Sequence, residues 1–147
     1  MSIILAQRAP GLSEQLRTLS SEQRQRVVAK VCQAVSRSVD QLEPRLAELI
    51  RLAVERNGLS PGQVEELRQY AENADKRYFT LQQEGVDKSV WRNWFAKARL
   101  ATALADGFGS EDWEATARAV YETLFVEDTE EPAINVVRTE ISLLLNR

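Results

Sequence analysis

The most concentrated group of ionisable side chains is acidic and lies near the carboxyl end, at Glu127, Asp128, Glu130 and Glu131. Carboxylate oxygens are preferred ligands of Ca²⁺, but a calcium loop needs alternating ligand positions, a central glycine and a distal glutamate. Residues 127–131, hereafter the acidic loop, lack that pattern. Three interpretations stay open: a solvated connector that places charge at the start of the next helix, a docking surface for a basic partner, or, least favoured, a metal site. We take the docking surface as the candidate partner-binding site.

A second group of residues is basic and falls on one side of a predicted helix. Lys88, Arg92 and Arg99 lie within about 40° of one another on that helix, and Phe95 lies beside them. This set, hereafter the basic stripe, could contact phosphates while the ring stacks on a base. Alternatively, the arginine stems cover Phe95 while their charged heads stay in water. Three cations on a chain of net charge −3 are a small footprint for nucleic acid, so the stripe is the alternative site.

Histidine is absent from the chain, and cysteine occurs once, at Cys32. The composition therefore excludes Ser-His, Cys-His and His-ligated metal chemistry. Cys32 lies between Val28 and Val35 on an apolar helical face, which is typical of a small buried side chain. Catalysis by carboxylates alone would need a distinctive pair on one helical face, and no spacing in the sequence singles one out. We expect a protein that is not an enzyme and that uses no metal and no cofactor.

Helices must position these residues, because the spacing of apolar residues is helical almost throughout. Only six glycines and four prolines interrupt the 147 residues, and apolar positions recur every three to four residues. The clearest start signal is Ser60-Pro61-Gly62-Gln63, in which Ser60 can cap and Gln63 can reach back to it. Gly107-Phe108-Gly109 is expected to break the helix predicted from about Asp87 to Ala105, and Ser110 is expected to cap the next one.

The predicted fold is all-α, a single compact helical bundle of five to seven helices that occupies residues 1–147 as one domain. Residues 1–19 are expected to form a loosely packed N-terminal segment. All ten aromatic residues lie between Tyr70 and Phe125. The core is therefore expected to centre on the helices of that section, with Trp91 and Trp94 packed inside it.

Charge is distributed unevenly, with a net of +3 over residues 1–58 and −6 over residues 107–147. Neither a secretory signal nor a stretch of about 20 apolar residues is present, so we expect a cytoplasmic protein without membrane contact. The predicted function is a non-catalytic protein that acts through a protein–protein surface on another, basic, protein. Its composition is similar to that of bacterial immunity proteins and regulators. A nucleic-acid-binding regulator that uses the basic stripe is the alternative.

Overall fold

A computed structural model describes residues 5, 9 and 11–146 of the chain. Within that part the chain forms seven helices and no strand, which confirms the predicted all-α class. None of these helices is long and apolar enough to cross a membrane. The helices are α1 (Leu12–Thr18), α2 (Ser21–Ser36), α3 (Pro44–Arg56), α4 (Pro61–Gln83), α5 (Lys88–Gly109), α6 (Trp113–Thr123) and α7 (Glu131–Leu145).

The start of α4 follows the capping signal in the sequence. The Ser60 hydroxyl accepts a hydrogen bond from the Gln63 amide at 3.1 Å, and the Gln63 side chain accepts one from the Ser60 amide at 2.9 Å. Ser20 and Gln23 form the same reciprocal pair at the start of α2. Each pair satisfies two backbone donors that the first turn of a helix would otherwise leave without partners.

The expected break at Gly107-Phe108-Gly109 is wrong, because α5 continues through Gly109. Gly107 instead lets two helices approach closely: a Cβ built there would lie 2.5 Å from Cγ1 of Val28 in α2. The backbone becomes extended only at Ser110, and α6 begins at Trp113. Gly107 therefore allows close packing of the two helices. Interpreting a glycine as a turn signal from its sequence neighbours alone does not predict this role.

The core is aliphatic and surrounds α2, which packs against α3, α5, α6 and α7. The expected aromatic core is wrong: Trp91, Trp94 and Trp113 are only half-buried, and Phe108 is the one aromatic ring in the buried core of the described residues. Leucine and valine adopt well-defined rotamers and fill the interior of a narrow multi-helix bundle. Tryptophan has a polar N–H on its ring and fits the boundary between core and solvent. The largest fully buried side chains include Leu12, Leu16, Leu46, Leu67, Leu100, Leu104, Leu124 and Ile141.

The segment expected to pack loosely, residues 1–19, is described at residues 5, 9 and 11–19; its other positions lie outside the described residues. In α1, Leu12 and Leu16 are buried in the main core, as is Leu19 after it. This helix contacts α6 and α7.

Helices α4 and α5 form a long antiparallel hairpin that extends beyond the core. Helix α4 packs chiefly on α5, and no residue from 75 to 95 is buried. This part of the hairpin, hereafter the hairpin end, extends roughly 13 Å, since nine residues of α4 each rise about 1.5 Å. Its side chains are covered only by one another and by the chain segments beside its base.

Candidate interaction surface

The structure brings the acidic loop and the basic stripe together through Arg92. The guanidinium Nη2 of Arg92 donates to the carbonyl oxygens of Phe125 at 2.7 Å and Glu127 at 3.1 Å. Its Nε lies 3.7 Å from Oδ1 of Asp128. The two candidate sites are therefore neighbours on one surface, although Arg92 and Glu127 are 35 positions apart in the sequence.

Arg92 holds the acidic loop mainly by its backbone, which leaves negative charge facing solvent. The Asp128 side chain is 92% exposed, and Glu131 is exposed in the first turn of α7. An acidic side chain at that position interacts favourably with the helix dipole. Glu127 and Glu130 are half-buried. The loop is therefore held by its backbone at Glu127 and projects the Asp128 carboxylate into solvent.

Arg99, the other arginine of the stripe, is bonded within the bundle. Its Nη2 donates to both carboxylate oxygens of Asp75, at 2.8 and 3.0 Å, and its Nη1 donates to Glu122 at 2.8 Å. The three side chains tie α4, α5 and α6 together. Burial raises the pKa of Glu122, while the charge and hydrogen bond of Arg99 act in the opposite direction.

Phe95 lies beneath the two arginines. The guanidinium carbons of Arg92 and Arg99 are 4.9 and 5.4 Å from its ring centre, within the usual range of a cation–π contact. Tyr78 of α4 packs on the same ring, with centroids 5.2 Å apart. Lys88, the first residue of α5, is exposed. Of the basic stripe, the structure thus brings Arg92, Phe95 and Arg99 into contact and leaves Lys88 projecting from the hairpin end.

A polar cleft of about 370 Å³ separates α5 from the acidic loop. Arg92 lies in its wall, and its Nη1 atom is buried without a hydrogen-bond partner. Three carboxylate side chains line the same cleft, so its formal charge is negative despite the arginine. The lining residues are Ser38, Asp40, Ser89, Arg92, Asn93, Ala96, Val126, Glu127 and Asp128.

The opposite flank of the hairpin carries a buried lysine that the sequence analysis did not single out. Lys97 Nζ is 2.6 Å from a carboxylate oxygen of Glu43 and 4.3 Å from the ring centre of Trp94. Tyr70 donates to the other oxygen of Glu43. The available signal was a lysine one turn after Trp94 on an otherwise apolar helix face, because a buried cation needs a carboxylate partner such as Glu43. Trp94 is covered by this group and by Arg77, 5.5 Å away.

Phe79 was also missed, and it is the most exposed large apolar side chain of the described residues, at 56%. It lies one turn beyond Asp75 on the same face of α4, and Asp75 faces Arg99. Phe79 therefore lies on the flank of the hairpin that faces α6 and the acidic loop. Val90, 44% exposed, lies about 160° around α5 from Arg92 and faces the other way. The sequence signal for Phe79 was its position next to the apolar stripe of its helix but outside that stripe.

In the part of the chain that the structure describes, no group of three or more acidic or cysteine side chains is arranged to hold a metal ion. Cys32 is fully buried, and burial raises the pKa of its thiol. Comparison of the chain with protein-family models, with curated proteins and with solved structures finds no match. The surface around the acidic loop therefore has to be interpreted from its own geometry.

Proposed function

We propose that this chain is a non-catalytic binding protein whose acidic loop docks a basic surface of another protein. The observation that carries the proposal is the way Arg92 holds the loop. Its hydrogen bonds go to the backbone at Phe125 and Glu127, so the start of the loop is held in place while Asp128 stays 92% exposed. Pre-ordering a charged loop lowers the entropy that a partner must supply on binding.

The charge of the loop supports recognition more than stability. Exposed charges such as those of Asp128 and Glu131 contribute little to folding, and like charges in one short loop repel. Only the acids near the first turn of α7 help that helix. The surrounding third of the chain, residues 107–147, carries a net charge of −6, which attracts a positively charged protein and raises its association rate. An inhibitor or regulator of a basic protein, of the immunity type, fits this surface.

The nucleic-acid alternative is less well supported by the contacts of the basic stripe. Arg99 already bonds two carboxylates, and Arg92 bonds two carbonyl oxygens, so both guanidinium groups have internal partners. Lys88 is the remaining exposed cation of the stripe. A phosphate would have to displace these contacts beside a loop of like charge to its own. We therefore favour the protein partner.

The test compares the wild type with a quadruple variant, Glu127→Gln, Asp128→Asn, Glu130→Gln and Glu131→Gln. A matched control changes four exposed acids of α3 and α4, which alters net charge equally: Glu48→Gln, Glu55→Gln, Glu65→Gln and Glu72→Gln. Immobilised proteins capture partners from the source lysate, and stopped-flow kinetics then follow the captured protein at two ionic strengths. We expect the loop variant to associate roughly tenfold more slowly at low salt and to show a weaker salt dependence.

The control variant is expected to keep most of the association rate, because its neutralised acids lie outside the loop. Equal rates for wild type and loop variant at both ionic strengths would contradict the proposal. So would a wild type that captures nothing beyond what the loop variant captures. Circular dichroism should show the same helix content in all three proteins, since the loop contains no helix apart from Glu131 at the start of α7.

A further inference from the structure

The acidic loop has an aromatic surface beside it. Phe79 projects from α4 on the flank of the hairpin that faces α6, and its ring contacts Tyr78, with centroids 4.8 Å apart. Tyr78 in turn contacts Phe95. On α6 and just after it, Tyr121 and Phe125 pack edge to face at 5.0 Å and are half-buried. Arg92 links the two groups, because its guanidinium lies over the Phe95 ring and donates to the carbonyl oxygens of Phe125 and Glu127. The surface formed by these five rings, hereafter the aromatic flank, therefore borders the acidic loop.

We propose that the aromatic flank and the acidic loop together bind one basic amphipathic helix. Apolar side chains of that helix cover Phe79 and the neighbouring rings, and its lysines or arginines reach Asp128 and the rest of the loop. The inference rests on the proposed function, since it names the chemistry of the partner segment that the loop would attract. It adds an apolar anchor, which the loop alone does not contain.

Charge complementarity selects this occupant. An acidic segment would face the carboxylates of the loop at close range, and like charges facing each other oppose binding. A neutral apolar segment would leave those carboxylates without a cationic partner. A second copy of this chain is disfavoured for the same reason: a two-fold interface sets the same patch against itself, and each copy would present its acidic loop to the other. A basic segment with apolar residues at helical spacing satisfies both halves of the surface.

The contributions of the aromatic flank and of the acidic loop to binding can be measured separately. Aromatic anchors at the centre of an interface slow dissociation, whereas charged residues at its rim speed association. Phe79 should therefore affect affinity without changing how affinity depends on salt. The carboxylates of the loop should change that salt dependence.

The experiment uses a fluorescent peptide of leucine and lysine, about 18 residues or five helical turns long, arranged with one apolar face. Three comparison peptides are used: a scrambled one of equal charge without an apolar face, one with serine for leucine, and one with glutamate for lysine. Fluorescence anisotropy measures binding to the full chain. We expect the amphipathic basic peptide to bind at least about tenfold more tightly than any of the other three.

Two variants locate the binding site. Phe79→Ser is expected to weaken binding about fivefold or more, with the same slope against salt concentration. Val90→Ser removes an exposed apolar side chain from the opposite flank and is expected to change binding less than twofold. Circular dichroism checks that both variants keep the helix content of the wild type.

The outcomes separate this inference from the proposed function. If the scrambled or serine peptide binds as tightly as the amphipathic one, or if Phe79→Ser and Val90→Ser are equivalent, the aromatic flank is not an anchor and the inference is wrong. A salt-dependent loss with the quadruple loop variant would still support the loop as a docking surface. If the glutamate peptide binds as tightly as the lysine peptide, both proposals are contradicted.

Discussion

Replacing Gly107 with alanine tests the contact that decides how α5 crosses α2. Gly107 is buried, and a Cβ at this position would lie 2.5, 2.9 and 3.0 Å from three carbons of Val28. Ordinary carbon–carbon contacts lie near 3.5–4.0 Å. The methyl group fits only if the two helices separate or if Val28 changes rotamer, and a β-branched residue in a helix has one strongly preferred rotamer.

Two opposing effects set the size of the change. Alanine favours a helix over glycine by up to about 1 kcal/mol, and by less here, because Gly107 lies in the last turn of α5. Inserting a methyl group into a packed contact costs typically 1–3 kcal/mol. Three carbons of a stiff side chain lie at or inside 3.0 Å of the new methyl, which favours the upper end of that range. We expect Gly107→Ala to lower the free energy of unfolding by about 2 kcal/mol.

Urea unfolding followed by circular dichroism and tryptophan fluorescence provides the measurement. Gly62→Ala is the matched control, because the nearest atom to its added Cβ is 3.9 Å away and the residue is exposed in the first turn of α4. That change is expected to leave stability unchanged or to raise it by about 0.5 kcal/mol. The comparison separates the effect of crowding from the intrinsic preference of alanine for helix.

A double mutant identifies Val28 as the clashing partner. Val28→Ala alone destabilises by removing buried apolar surface, but it also removes the carbons that the new methyl would meet. The two changes together should therefore cost about 1–2 kcal/mol less than their sum. A Gly107→Ala protein as stable as the wild type, or costs that add, would refute the proposed reason for the glycine.

Three further predictions concern the charged contacts. In urea unfolding, Lys97→Ala should lower the free energy of unfolding by about 1–3 kcal/mol more than Lys97→Met does. Both variants leave Glu43 without its cation, but methionine keeps the packed stem of the side chain. Equal costs would exclude a packing role for that stem. Because burial raises the pKa of folded Glu122 above its ordinary 4.5, the stability of the wild type relative to Glu122→Gln should be highest below pH 4.5 and should fall as pH rises through the folded value. A relative stability that rises over that range would show the opposite shift. Arg92→Met should speed amide hydrogen exchange in the acidic loop with little effect on the buried part of α2, and unchanged exchange would mean that the loop is ordered by other contacts.

Much of the fold could be predicted because the signals are local. The capping box at Ser60 and Gln63 acts over three residues, and the side chains of Val64, Leu67 and Ala71, which are spaced three or four residues apart along α4, are buried. These interactions depend on neighbours within one or two turns, so a single sequence carries them. The all-α class follows from the same short-range pattern repeated along the chain.

The arrangement of the candidate surface could not be predicted, because it depends on which helices meet. In the sequence, the acidic loop and Arg92 belong to two alternative candidate sites. The packing of α5 and α6 makes them neighbours. The aromatic residues of α5 satisfied a helical pattern equally well as core or as boundary. Tertiary structure decided between those placements, since the aliphatic side chains around α2 already fill the interior and leave the rings on the hairpin end. The same packing turned Gly107 from an expected stop signal into a contact point.

In physical terms, the sequence by itself determined the short-range hydrogen bonds and apolar periodicity of each helix. Only the tertiary structure decided long-range contacts, because those depend on the summed volumes and charges of residues far apart in the chain.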